Sequence, residues 1–150
     1  MHELAVTRTI NAPIAHVWQI MTERLAEWWC PKPWTTEIVR LDRRAGGVSN
    51  IVMHGPNGEE HQTPGLILAW SEGHHFAFTD AIAPGLIPAE AFMIGIWAIE
   101  AEGDRTRYTA VARHWTEEAM QQHLEMGFHD GWSTVAEQLQ SLCEQTAAEA

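Results

Sequence analysis

The sequence predicts an α+β domain: a curved antiparallel sheet of six to seven strands wrapped on a long C-terminal helix, with two short helices after the first strand. Three observations carry this. Most segments between Thr35 and Trp115 have a strand-like apolar period and are separated by Gly and Pro turn signals. Met120, Leu124, Phe128, Trp132 (or Gly131), Val135, Leu139 and Leu142 then recur at three and four residues, which makes one helix of roughly seven turns. A long helix with one apolar face must cover a sheet, and a sheet of that many strands curls as it twists.

The elements follow in order. Glu3 to Ile10 alternates, with Leu4, Val6 and Ile10 on one face, and reads as a strand. Asn11-Ala12-Pro13 stops it and opens a helix, with Pro13 at the first helical position. Ile14, Val17, Trp18 and Met21 form that helix's apolar stripe, and Glu23 to Trp29 reads as a second short helix closed by Pro31 and Pro33. Strands are expected at Thr35 to Asp42, Val48 to His54, Thr63 to Trp70, His74 to Thr79, Ala91 to Ala101 and Thr106 to Trp115. Arg43 to Gly47, Gly55-Pro56-Asn57-Gly58 and Glu102-Gly103-Asp104 are turns, and Ala83 to Pro88 is an unusually apolar loop. Thr116 suits the N-cap of the last helix, Glu117 and Glu118 suit its positive end, and the tail after Gln145 is expected to fray.

A chain of 150 residues is one domain, spanning 1–150 with its core at about residues 3–143. A formal charge of -11 repels phosphate backbones and anionic lipid surfaces, so neither nucleic acid nor membrane is an expected partner. Cys30 and Cys143 make no disulfide framework, and the N-terminus has no secretory pattern. The longest apolar run, Ala91 to Ile99, is about half a membrane span. These features predict a cytoplasmic, reduced protein.

Eight tryptophans are more than one small core ordinarily needs. Aromatic faces line ligand cavities, and a curved sheet gripping a long helix leaves space between the two. Trp28, Trp29, Trp34, Met53, Phe78, Trp97, Tyr108, His114 and Phe128 are the expected ligand-binding residues, while Trp18 and Trp132 read as packing. The alternative is that most of these rings are plain core.

No metal, cofactor or catalytic residue is assigned. His74 and His75 are adjacent on a strand and point apart, and His123 and His129 lack the four-residue spacing of a zinc-binding helix. His54 and His61 flank a hairpin, where solvation is the plainer reading. His114 shares a face with Tyr108, Ala110 and Ala112; it is either a general acid or base at one end of the cavity or a histidine hydrogen-bonded near the helix start. Cys30 has only Lys32 near it to lower its pKa. Arg43-Arg44 either meets a ligand's acid group at the cavity mouth or pairs with surface carboxylates.

Arg8 with Asn11-Ala12-Pro13, Val17-Trp18, Glu27-Trp28-Trp29 with Pro31, Asp42-Arg43-Arg44 with Gly46-Gly47, Pro56-Asn57-Gly58, Gly127-Phe128 and Gly131-Trp132 occur in an order that is specific as a set. From about residue 5 to residue 143 the chain resembles the START-like, helix-grip (SRPBCC) superfamily, in the branch named after the activator of heat-shock-protein-90 ATPase. Cys30 departs from the branch, which usually has Gly before that Pro. The resemblance implies a helix-grip fold and a cavity. It does not imply one activity, since the superfamily includes lipid carriers, hormone receptors, polyketide cyclases and co-chaperone domains.

The resulting expectation is a protein that binds a small apolar or aromatic molecule between sheet and C-terminal helix, without catalysis. Tyr108 or His114 would orient the ligand, and the Ala83–Pro88 loop and the lid around Trp28 would gate it. A cyclase or dehydratase acting on a polyketide-like substrate is the alternative enzyme reading, with His114 and Asp80 as its inward titratable groups. A co-chaperone or interaction module is the third reading. Chaperone contact is the less expected partner, and oligomeric state is left open.

Overall fold

In the computed structural model, which describes residues 1–149, seven strands form one antiparallel sheet. They are β1 (His2–Ile10), β2 (Thr35–Leu41), β3 (Val48–His54), β4 (Glu60–Ser71), β5 (His75–Thr79), β8 (Ile94–Glu102) and β9 (Arg105–His114), in the order β1-β9-β8-β5-β4-β3-β2. β6 (Ile82–Ala83) and β7 (Ile87–Pro88) form a separate hairpin of two two-residue strands where a loop was expected. The helices are α1 (Ile14–Glu23), α2 (Leu25–Trp28), α3 (Glu117–Glu125) and α4 (Phe128–Glu149). This is the predicted α+β helix-grip arrangement, with the sheet at the upper end of the expected strand count.

Alternation decides which side of the sheet faces the helices. On β9, Thr106, Tyr108, Ala110, Ala112 and His114 are buried, while Arg105, Arg107 and Arg113 are exposed. The small Ala110 and Ala112 leave room for large rings from neighbouring strands. Register shifts at Ile38/Arg40 and Ile67/Ala69 are bulges, which bend a sheet and increase its twist. α1, α2 and α4 close the inner face, with Val17, Met21, Trp28, Leu139 and Cys143 fully buried among them.

Several element boundaries differ from expectation. Pro13 is the N-cap of α1 rather than its first residue. Proline has no N–H and none is needed at either position, so the sequence signal is good only to one residue. The C-terminal helix is broken. α3 ends at Glu125, Gly127 takes φ +95°, and α4 starts afresh at Phe128. The left-handed conformation ends a helix and favours glycine, although the apolar spacing runs through it unbroken. α4 continues beyond Gln145 to Glu149, and the end of the tail expected to fray, Ala150, lies outside the described residues. No helix among the described residues is long and apolar enough to cross a membrane.

Candidate functional site

The inner face carries a row of directly opposed residues across four strands. Ala110 faces Trp97, Trp97 faces Phe76, and Phe76 faces Trp70. Trp70 stacks on Phe76 at 5.0 Å between ring centroids, and Phe76 on Trp97 at 5.3 Å. Trp132 of α4 extends the stack from the opposite layer, lying 13° from parallel to Trp97 at 5.7 Å. Gly95 makes this possible, because a Cβ there would come within 2.5 Å of the Trp97 ring. These rings occupy the part of the space between sheet and helix around Trp97. Trp132, read from sequence as packing alone, is a member of the stack with Trp97.

Trp29 meets this stack edge-on, 5.3 Å from Trp97 and 5.5 Å from Trp132. It is half-buried, and it also lines a surface groove of about 630 Å³ with Glu27, Cys30, Lys32, Trp34 and Leu142. Trp29 thus belongs both to the groove and to the ring cluster. Its position is set by α4: Gln138 Nε2 donates to the carbonyls of Trp28 (2.9 Å) and Cys30 (3.0 Å), and Gln138 Oε1 accepts from the Lys32 amide at 3.0 Å. One side chain therefore satisfies three backbone groups in the segment leaving α2. Cys30 holds φ +61°, a conformation that favours glycine, in keeping with the Gly that the resemblance implies at this place. Its Sγ is buried and accepts from the Thr36 hydroxyl, and burial pushes the thiol pKa up. A thiol so placed is a poor nucleophile.

The other expected ligand residues are distributed unevenly. Trp28 and Tyr108 are fully buried beneath Trp29, edge to face at 6.2 Å, and burial pushes the Tyr108 hydroxyl pKa well up. Phe128 is buried against Trp132 at 4.7 Å. Phe78 is half-buried and packs on the core, but takes part in none of the ring pairs among the described residues. Met53 is half-buried on β3 and outside the core cluster.

Beyond Phe128 the cluster ends in two histidines. His114 Nε2 lies 2.9 Å from His123 Nδ1, with Phe92 against both rings. His123 is a functional candidate that the sequence reading missed. Its signal was available, because it lies three residues after Met120 on the buried side of α3. Thr116 caps that helix as expected, accepting from the Ala119 amide at 3.1 Å. Burial lowers the pKa of both imidazoles, His123 to about 4 with His114 adding to the effect. Asp80 accepts from the Phe92 and Met93 amides and so braces the loop over the pair.

Arg43 donates to the Thr22 carbonyl at 3.1 Å, and Arg44 lies 3.9 Å from Asp42. Of the two readings for this doublet, the geometry gives structural bracing. His54 pairs with Glu37 and Glu60 on the sheet surface. Among the described residues no three His, Cys, Asp or Glu side chains gather as a metal site.

The family model of Activator of Hsp90 ATPase homolog 1-like protein matches residues 11–144. A crystal structure of a protein from Nitrosomonas europaea is similar with a TM-score of 0.90 and 34% identity, covering 97% of this chain and 96% of that one. A protein from Mycobacterium smegmatis follows at 29% identity and TM-score 0.77, over 93% and 89% of the two chains. An AHSA1 protein from Silicibacter pomeroyi, 17% identical with a TM-score of 0.70 over 99% of both chains, shares the fold. No curated protein matches. The fold is that of a general ligand-binding or interaction module. With its model spanning most of the residues and a relative above 30% identity along nearly the whole length, the chain belongs to the Activator of Hsp90 ATPase homolog 1-like family.

Proposed function

We propose that this protein binds a small, flat, mostly apolar molecule that enters at the Trp29–Trp34 groove and buries itself against the interior rings. One observation carries the reading: Trp29 is at once a wall of the groove and an edge-on neighbour of Trp97 and Trp132. A plane of apolar carbon that takes the place of Trp29 would meet a preformed aromatic stack. Burial would supply about 25 cal/mol per Å² of apolar surface removed from water. A groove of about 630 Å³ is the right size for such a molecule. Trp28, Tyr108 and Phe128 form the deeper lining in this reading.

The test is an NMR titration of the indole N–H signals with flat aromatics, fatty acids and sterols. Saturable shifts at Trp29 and Trp34, with the exposed Trp115 unmoved, are the expected result. Absence of any saturable shift overturns the proposal.

A second reading, proton transfer on a bound molecule, is favoured by the His114–His123 hydrogen bond of 2.9 Å at the far end of the same cluster. It would use His123 as base and His114 as the group that positions it. Solvent-deuterium incorporation into a bound carbonyl compound, abolished in His123→Gln, would support it.

A further inference from the structure

We infer that the bound molecule carries a neutral carbonyl oxygen, and that the indole N–H of Trp97 is the donor that recognises it. This rests on the binding reading above and specifies the ligand's chemistry.

Trp97 is 6% exposed, and its Nε1 is the one buried side-chain nitrogen or oxygen without a hydrogen-bond partner among the described residues. Buried donors are nearly always paired, and an unpaired one is a standing cost. Two of the other three buried indoles are paired within the protein. Trp18 Nε1 donates to Glu72 at 2.7 Å, and Trp28 Nε1 to the Met21 carbonyl at 3.2 Å. The exception lies in the residue at the centre of the stack, next to the ring that closes the groove. The rings packed on Trp97, those of Phe76, Trp29 and Trp132, supply no oxygen acceptor, and a buried water would need two to four polar partners. A carboxylate is also a poor answer. No Lys or Arg is buried among the described residues, and a single N–H does not offset the cost of burying a charge. A ketone, ester or amide oxygen needs one donor and brings no charge.

The test uses three probes of one size: 2-acetonaphthone, its hydrocarbon counterpart 2-isopropenylnaphthalene, and 2-naphthoate. Each is titrated into the wild-type protein and into Trp97→Phe, with the indole N–H signals followed by NMR. The ketone should bind the wild type about five- to tenfold more tightly than the hydrocarbon. It should move the Trp97 N–H signal downfield where the hydrocarbon does not, a readout that needs no variant. Trp97→Phe should erase the preference, and the naphthoate should bind most weakly. Equal affinities for ketone and hydrocarbon, with the Trp97 signal unmoved by the ketone, overturn the inference and leave the binding reading standing. Failure of all three probes to bind, when another member of the wider panel does, overturns the inference alone. Failure of the whole panel overturns both.

Discussion

His114 and His123 share a hydrogen bond of 2.9 Å inside the protein, between the last strand and the helix that follows it. His114 Nδ1 stands 3.4 Å from the carbonyl oxygen of His2. A carbonyl oxygen only accepts, so the proton belongs on Nδ1, Nε2 of the same ring is an acceptor, and His123 Nδ1 must be the donor. The His123 Nε2 lone pair is then unprotonated. The arrangement holds while both rings are neutral, and each proton added must be accommodated away from water.

Stability should therefore fall as the pH drops from about 6.5 towards 4. His123 is pushed down to about 4 from its ordinary 6.5, so between those values the unfolded chain binds the proton and the folded chain does not. The folded state loses ground through that window, by on the order of 2 kcal/mol. The carboxyls of Glu72 and Asp42 are held below their ordinary values by hydrogen bonds, so their contributions are lost only at lower pH. Urea unfolding at pH 7 and at pH 5 should show the drop in wild type and a smaller one in His123→Gln. An identical pH slope in the two proteins would remove the pair from this account.

Gln138 should be the most sensitive polar position on α4. Truncation to Ala leaves the Trp28 and Cys30 carbonyls and the Lys32 amide without their partner. A cost of about 2 kcal/mol is expected, since the two part-buried carbonyls each lose about a hydrogen bond's net value, while the exposed Lys32 amide can turn to water. Gln138→Glu can still accept from the Lys32 amide but turns an anion towards two carbonyls. It should be at least as damaging at pH 7 and recover partly as the carboxyl protonates. Denaturant midpoints of the two variants at pH 7 and pH 5 decide this, and a Glu variant as stable as wild type would contradict it.

Glu72 joins two tryptophans that are far apart in sequence. Its carboxylate accepts from Trp18 Nε1 at 2.7 Å and from Trp70 Nε1 at 2.8 Å, tying α1 to the end of β4. Trp18 is buried, so Glu72→Ala leaves an indole N–H unpaired and should cost about 1 kcal/mol. Glu72→Gln keeps an acceptor and should cost less. Thermal melts would show the ranking, with Ala below Gln and both below wild type.

The fold was legible because its signals are periodic. Alternation on β9 and the three-and-four spacing of Phe128, Trp132, Val135 and Leu139 each hold over long segments, and those segments form as read. The helix break at Gly127 was not legible, since apolar spacing carries no information about one residue's φ. The candidate site was legible in kind rather than in arrangement. Trp28, Trp29, Trp97 and Phe128 are brought together, but only the pairing register reveals that Trp70, Phe76 and Trp97 lie in one row. Met53 lies outside the core cluster, and a half-buried strand residue off the row has the same local pattern as one inside it. The His114–His123 contact depends on how α3 packs against β9, which neither residue's neighbours encode.

Cys30 is the position where sequence departure and backbone conformation meet. At φ +61° a side chain costs about 1 kcal/mol or more, and a β-branched one costs most. Against that, the Cys30 side chain is buried and its Sγ accepts from the Thr36 hydroxyl at 3.3 Å. Cys30→Gly gives up that burial and loosens the unfolded chain, but it removes the backbone cost, so it should stay within about 1 kcal/mol of wild type. Cys30→Ala keeps the conformational cost and loses the sulfur, and should lie about 1 kcal/mol below. Cys30→Val adds a branch where none fits and should lose about 2 to 3 kcal/mol. Urea unfolding of the three variants gives the order Gly, Ala, Val from most to least stable. A Val variant equal to the Gly variant would show that φ is not what sets the residue here. Because Cys30 directly follows Trp29, the Val variant should also disturb the Trp29 and Trp34 indole signals, and the Gly variant should leave them in place.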